Sequence, residues 1–180
     1  MDNNIEKELK ILVSKEQFYT LKESYEPLPF KTQINVYFDN ENRTIVKKHG
    51  AMRIRTKNNK HIFTLKMHSE EGLREHECFV EQNDISSLNK KEIIDLLNSY
   101  EISGPFISTA ILKTDRAVYE NEYAELCFDI NYYDDCIDYE IEYEYKKEHD
   151  GIKVFNDILE KVNLIYTSNC KSKIQRALKR

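Results

Sequence analysis

Residues 4–13 read NIEKELKILV, and the alternation decides how the rest of the chain is read. As a strand it puts Glu6, Glu8 and Lys10 on one face and Ile5, Leu9 and Ile11 on the other. An apolar face goes to a core. A face of two acids and a base is either wet or lines a site.

The same parity recurs along the chain. In MRIRT, Arg53 and Arg55 oppose Met52 and Ile54; in FTLKM, Thr64 and Lys66 oppose Phe63, Leu65 and Met67. In REHECF, Glu75 and Glu77 share a face. In LKTDRAV, Arg116 lies with Leu112 and Thr114, so Lys113 points the other way. Glu125, Cys127 and Asp129 oppose Leu126, Phe128 and Ile130 in ELCFDI. Asp138, Glu140, Glu142 and Glu144 oppose Tyr139, Ile141, Tyr143 and Tyr145 in DYEIEYEY. One reading is an open antiparallel sheet with a solvated face. Runs of one sign argue for another: four acids at two-residue spacing repel each other, and a bound cation would offset that. Closing about eight strands into a barrel would turn these faces inward and leave the apolar ones to be covered by helices.

Strands are expected at 4–13, 34–39, 51–57, 61–67, 73–80, 108–119, 123–132 and 137–146. The Asn-Asn pair at 58–59 reads as a hairpin turn. Helices are expected after Ser14, which opens a capping box with Gln17, over 89–100, after Asp150, and over 172–179. The result is one α+β domain dominated by antiparallel pairing.

Composition limits the function. The 180 residues carry a net charge of −5, which argues against a general nucleic-acid binder. No apolar run approaches the roughly 20 residues needed to span a bilayer, and MDNNIEKELK has no apolar signal core. The 4 cysteines form no Cys-x-x-Cys, and the 5 histidines show no metal-ligand spacing; a cytoplasmic protein with reduced thiols is expected. Cys127 reads as a small filler, and His68 and His76 as surface or pairing residues.

The pattern EKELK at 6–10 resembles the E-x-E-x-K signature of the CYTH family, the triphosphate tunnel metalloenzymes. Further matches follow in the family's order: YFD at 37–39, MRIR at 52–55, TLK at 64–66, KTDRA at 113–117, FD at 128–129, DYEIEYE at 138–144 and SKIQR at 172–176. The likeness is greatest to the compact stand-alone bacterial members, the thiamine-triphosphatase-like branch. It implies that residues 1–180 form a single tunnel domain, a closed antiparallel eight-stranded β-barrel with a charged lumen and surrounding helices.

The resemblance also implies a chemistry: hydrolysis of inorganic tripolyphosphate or thiamine triphosphate with Mg²⁺ or Mn²⁺. Matched motif to motif, Lys10, Arg53, Arg55, Lys66, Arg116 and Lys173 resemble the phosphate ligands, with Lys10, Arg55, Lys66 and Arg116 assigned to catalysis. Glu6, Glu8, Glu140, Glu142 and Glu144 resemble metal ligands, and Asp129 is a further candidate. Glu75 resembles an acid of the tunnel wall. The segment around Arg116 offers one inward base where some relatives offer two; Lys113 and Arg176 are candidates for the second, equally consistent with surface roles. The alternatives are a class-IV-type adenylate cyclase and a non-catalytic triphosphate or polyphosphate binder. The expected partner is a small triphosphate, with no nucleic acid and no membrane, in a monomer or homodimer.

Overall fold

A computed structural model describes residues 2–70 and 72–178. Nine strands form: β1 (Asp2–Glu6), β2 (Glu8–Val13), β3 (Lys31–Asn40), β4 (Ala51–Lys57), β5 (Lys60–Ser69), β6 (Gly72–Val80), β7 (Phe106–Glu120), β8 (Ala124–Tyr132) and β9 (Ile137–Tyr145). Five helices accompany them: α1 (Lys15–Glu23), α2 (Thr44–Lys47), α3 (Lys91–Ser99), α4 (Gly151–Leu159) and α5 (Lys173–Ala177). The strand order is β1-β6-β5-β4-β3-β7-β8-β9-β2, and each registered pair is antiparallel.

Two expectations are corrected. The strands number nine because the opening run changes partner at Lys7: β1 pairs with β6 up to Glu6, and β2 pairs with β9 from Glu8. The sheet is not closed. Its end strands in the pairing order, β1 and β2, share no ladder, because they are successive segments of one extended run that meets at Lys7. The last expected helix is confined to Lys173–Ala177, and Lys179 lies outside the described residues.

The chain divides into two compact units. Unit one holds residues 1–6, 33–112 and 174–180; unit two holds 7–32 and 113–173. In unit one, Met52 and Ile54 of β4, Phe63, Leu65 and Met67 of β5 and Phe38 of β3 pack with Ile93 and Leu97 of α3. The helix expected over 89–100 thus buries Ile93 and Leu97, while Ile94 of the same apolar stripe stays exposed. The β4–β5 turn is made by Asn58 and Asn59, both left-handed (φ 51° and 57°), as a two-residue primed turn requires. Asp39, the acid of the YFD motif, accepts from the amides of Ile45 (3.0 Å) and Val46 (3.1 Å), satisfying the start of α2 in place of a local cap. That helix was not foreseen, being four residues with no capping signature of its own.

Unit two has its own core. Leu9, Ala117, Leu126, Phe128, Ile130, Ile141 and Tyr143 pack with Phe18 and Leu21 of α1 and Phe155 and Leu159 of α4. Phe18 meets Phe128 edge-on at 5.9 Å. The predicted capping box is formed: Gln17 N donates to Ser14 Oγ and Ser14 N to Gln17 Oε1. Asp150 caps α4 by accepting from Lys153 N. In both units helices therefore cover the apolar strand face. No helix among the described residues is long and apolar enough to cross a membrane.

Candidate functional site

With the apolar faces under helices, the polar faces could still have been wet. They are not. Asp129, Glu140 and Asn35 are 0% exposed and Gln33 is 1% exposed. A solvated outer sheet is excluded by that burial, since ionised side chains are withdrawn from water only where something holds them.

In unit two the register stacks the charged residues in rows. Lys10 lies opposite Glu142, and Glu142 opposite Cys127; Glu140 lies opposite Asp129, and Asp129 opposite Arg116. Arg116 grips Asp129 with two parallel bonds (Nε–Oδ1 2.7 Å, Nη2–Oδ2 2.6 Å) and also donates to Glu142. The Lys173 ammonium, at the start of α5, sits among three carboxylates: 2.5 Å from Glu142, 2.7 Å from Glu140 and 2.9 Å from Asp129. Lys10 donates through its ammonium to Glu8. Asn131 steadies the row by donating to Asp138 and Glu140, and the Cys170 thiol lies 3.4 Å from Glu140.

These contacts fix the protonation states. Burial opposes charge on Lys173, but Asp129, Glu142 and Glu140 outweigh it and hold its pKa well above the ordinary lysine value. Burial would raise the Glu142 carboxyl; Lys173, Arg116 and Lys10 drive it well below its usual range instead. Asp129 is likewise lowered against its burial, by Arg116 and then Lys173. Burial pushes the Cys127 thiol up, so it stays protonated, as a filler would.

Oxygens of Asp129, Glu140 and Glu142 lie within 4.8 Å of one another, and the group already surrounds a cation, the Lys173 ammonium. A hard, all-oxygen donor set of this kind fits Mg²⁺ or Mn²⁺. Of the expected metal ligands, Glu140 and Glu142 are in this group and Asp129 joins them. Glu144 groups instead with Glu125 and Cys127. Glu8 holds Lys10, and Glu6 is in unit one.

The polar face of unit one is richer in donors. Arg55 Nε donates to Asn35 Oδ1 at 2.8 Å. Arg53 faces Glu75 at 3.8 Å, and Lys66 bonds Glu6 at 2.5 Å and lies 3.5 Å from Glu75. Burial would lower Arg53, but Tyr37, Glu75 and Glu6 more than compensate, so it remains charged. Thr64 donates to Glu77. Three buried donors on this face have no hydrogen-bond acceptor: Arg53 Nε, Gln33 Nε2 and Asn35 Nδ2. Each such group costs about 1–3 kcal/mol when left unsatisfied.

Lys113 does not join either charged face. It lies 3.7 Å from Asp115 and over the Tyr132 ring, as its parity required. Arg176 is buried within unit one. His76 bonds the Tyr100 hydroxyl. Gln33, Asn35, Asn131 and Cys170 were missed. For the first two the signal was present, since QINVYF alternates as strictly as the opening run.

A CYTH domain family model matches residues 4–178, which spans both units. The chain is 32% identical over 182 residues to "Putative triphosphatase YjbK" of Bacillus subtilis (strain 168), covering 98% of this chain and 95% of that protein. It is similar to the crystal structure of a "putative adenylate cyclase" from Bacillus halodurans, with a TM-score of 0.87 and 32% identity over 98% of both chains. HpAC1 from Hippeastrum shares the fold, with a TM-score of 0.79 at 23% identity over 97% of this chain and 96% of that one.

Proposed function

The chain belongs to the CYTH domain family, and on that premise we propose that it is a divalent-metal-dependent triphosphatase releasing phosphate from tripolyphosphate or thiamine triphosphate. The observation that carries this is the buried group of Asp129, Glu140 and Glu142 closed around an ammonium and a guanidinium. The name carried by the Bacillus subtilis relative supports the same reading. Residues 1–180 act as one catalytic domain.

Asp129, Glu140 and Glu142 would hold the cation, with Glu8 and Glu144 of the same unit as the further carboxylates the family pattern assigns to it. Bound there, Mg²⁺ or Mn²⁺ supplies charge neutralisation at phosphoryl oxygens. Phosphoryl transfer through a loose transition state asks mainly for positioning and for cations around the equatorial oxygens. Arg53 and Arg55 supply planar, permanently charged donors suited to that geometry. Lys10, Lys66, Arg116 and Lys173 add point charges and forks held by their carboxylate partners until substrate arrives. Burial of these groups keeps bulk water from screening them.

The test is phosphate release from tripolyphosphate, thiamine triphosphate and ATP, each with Mg²⁺ and with Mn²⁺, alongside Glu142→Gln and Arg55→Ala. Release by wild type and its loss in both variants is expected. No release from any substrate, or equal release by the variants, overturns the proposal. The adenylate cyclase name of the Bacillus halodurans relative favours one second reading, which cyclic AMP and pyrophosphate from ATP would reveal.

A further inference from the structure

The carboxamides of Gln33 and Asn35 are buried on the polar face of unit one. Both sit on β3 with the polar parity, alternating with Ile34 and Val36, which point the other way. The β3–β4 register sets Gln33 beside Lys57, Asn35 beside Arg55 and Tyr37 beside Arg53. The orientation of the Asn35 amide follows from its neighbour. Arginine only donates, so the atom 2.8 Å from Arg55 Nε is the carbonyl oxygen, and the amino group is the end left over. That amino group, the Gln33 amino group and Arg53 Nε are all buried without an acceptor.

We infer that Gln33 and Asn35 are anion-contacting residues that donate to the oxygens of linked phosphoryl groups beside Arg53 and Arg55. This deepens the triphosphatase reading and rests on it. The chemistry of the ligand follows from what is missing. Three unpartnered groups on one face, from adjacent strands, are all donors. A metal ion would need acceptors there, and a sugar or base would need both kinds. An acceptor-only anion satisfies every one. Residues two apart on a strand are separated by about 7 Å, so the row from Gln33 to Arg53 suits a chain of phosphoryl groups better than one small oxyanion. Neutral amides also have a purpose that more lysines would lack: they add donors without adding buried charge.

Asn35 has a second, separable task, since its oxygen positions Arg55. Asn35→Asp keeps an oxygen for Arg55 and replaces the donor with an acceptor. Gln33→Met keeps the length and removes the amide. The experiment is calorimetric titration of wild type, Asn35→Asp and Gln33→Met with tripolyphosphate and with orthophosphate, plus melting curves of each protein without ligand. Tripolyphosphate affinity should fall at least about tenfold in Gln33→Met, the range for a lost hydrogen bond to a charged group, and further in Asn35→Asp. Orthophosphate should bind wild type much more weakly than tripolyphosphate. Without ligand, Gln33→Met should melt no lower than wild type, because it removes a buried group that lacked a partner.

A purely structural amide predicts the reverse for Gln33→Met: a lower melting temperature and unchanged affinity. Unchanged tripolyphosphate affinity in both variants overturns the inference while leaving the triphosphatase reading intact. Failure of wild type to bind tripolyphosphate overturns that reading itself. A tenfold loss in Asn35→Asp alone, with Gln33→Met at wild-type affinity, removes Gln33 from the site and overturns the paired assignment.

Discussion

The two units present polar faces of the same parity but leave them in opposite electrostatic states. In unit two, Asp129, Glu140 and Glu142 already enclose Lys173 and Arg116, and every one of these charges has an opposite neighbour. In unit one, Arg53, Gln33 and Asn35 keep donors that meet nothing. One face is acid-rich and balanced by its own cations; the other is rich in donors, three of them without an acceptor. On the functions proposed above, the first face would take a divalent cation in place of its ammonium and the second would take an anion.

The comparison breaks most directly at Glu142. Glu142→Ala strips a carboxylate from Arg116 and Lys173 and leaves two buried cations under-compensated. It should lower stability by about 3–5 kcal/mol in urea unfolding and abolish phosphate release. If it unfolds no more easily than wild type, the acid-rich face is not holding the unit together.

Lys173→Met asks whether the same face discriminates by charge alone. Three buried carboxylates lose their ammonium, so stability should fall by about 2–4 kcal/mol in the absence of divalent ions. Millimolar Mn²⁺ should recover much of that loss in the variant and less in wild type, where the ammonium competes. An equal response of both proteins to Mn²⁺ would separate Lys173 from the cation site.

Arg55→Lys sharpens the other side. The charge remains, but the Nε donor to Asn35 and the planar fork are lost. The expected stability change is about 1 kcal/mol, with a rise in KM for the triphosphate larger than the fall in kcat.

The smallest effect lies on the outer surface and serves as a control for both faces. Burial would raise the Asp115 carboxyl, but Thr32 (2.6 Å) and Tyr132 (2.8 Å) donate to it and hold it below its ordinary pKa of 3.8. The unfolded chain then binds more protons in acid, so stability rises with pH there. Asp115 contributes fully above the unfolded carboxylate range, and its contribution is lost as pH falls through the lower folded value. Asp115→Asn should flatten only that part of the acid limb, by about 1 kcal/mol or less, leaving phosphate release unchanged.

Much of this was legible in alternation. The faces of β4, β5, β6, β8 and β9 follow from counting by two, and the capping box and the Asn58–Asn59 turn announce themselves locally. What alternation could not give was partner exchange. The run through Glu6, Lys7 and Glu8 is continuous in pattern, and only pairing shows that it serves β6 and then β9. For the same reason alternation could not group the expected metal ligands. Parity placed Glu140, Glu142 and Glu144 on one face, but the cross-strand register decides which of them meets Asp129. Gln33 and Asn35 were passed over because neutral amides carry no charge to notice.

The seat of Lys173 has a consequence in time. A ribosome makes Asp129, Glu140 and Glu142 well before Lys173. Through that interval the nascent strands β8 and β9 carry three adjacent carboxylates with Arg116 as the emerged cation among them, and Lys10 further back. Mutual repulsion among these carboxylates opposes their close approach while Lys173 is absent, and a dissolved divalent ion would offset it as the ammonium does. The cation that neutralises the carboxylate group of unit two is thus one of the last residues to be made within it, so the ionic strength and divalent content of the solution weigh most on the unit before its own ammonium is in place.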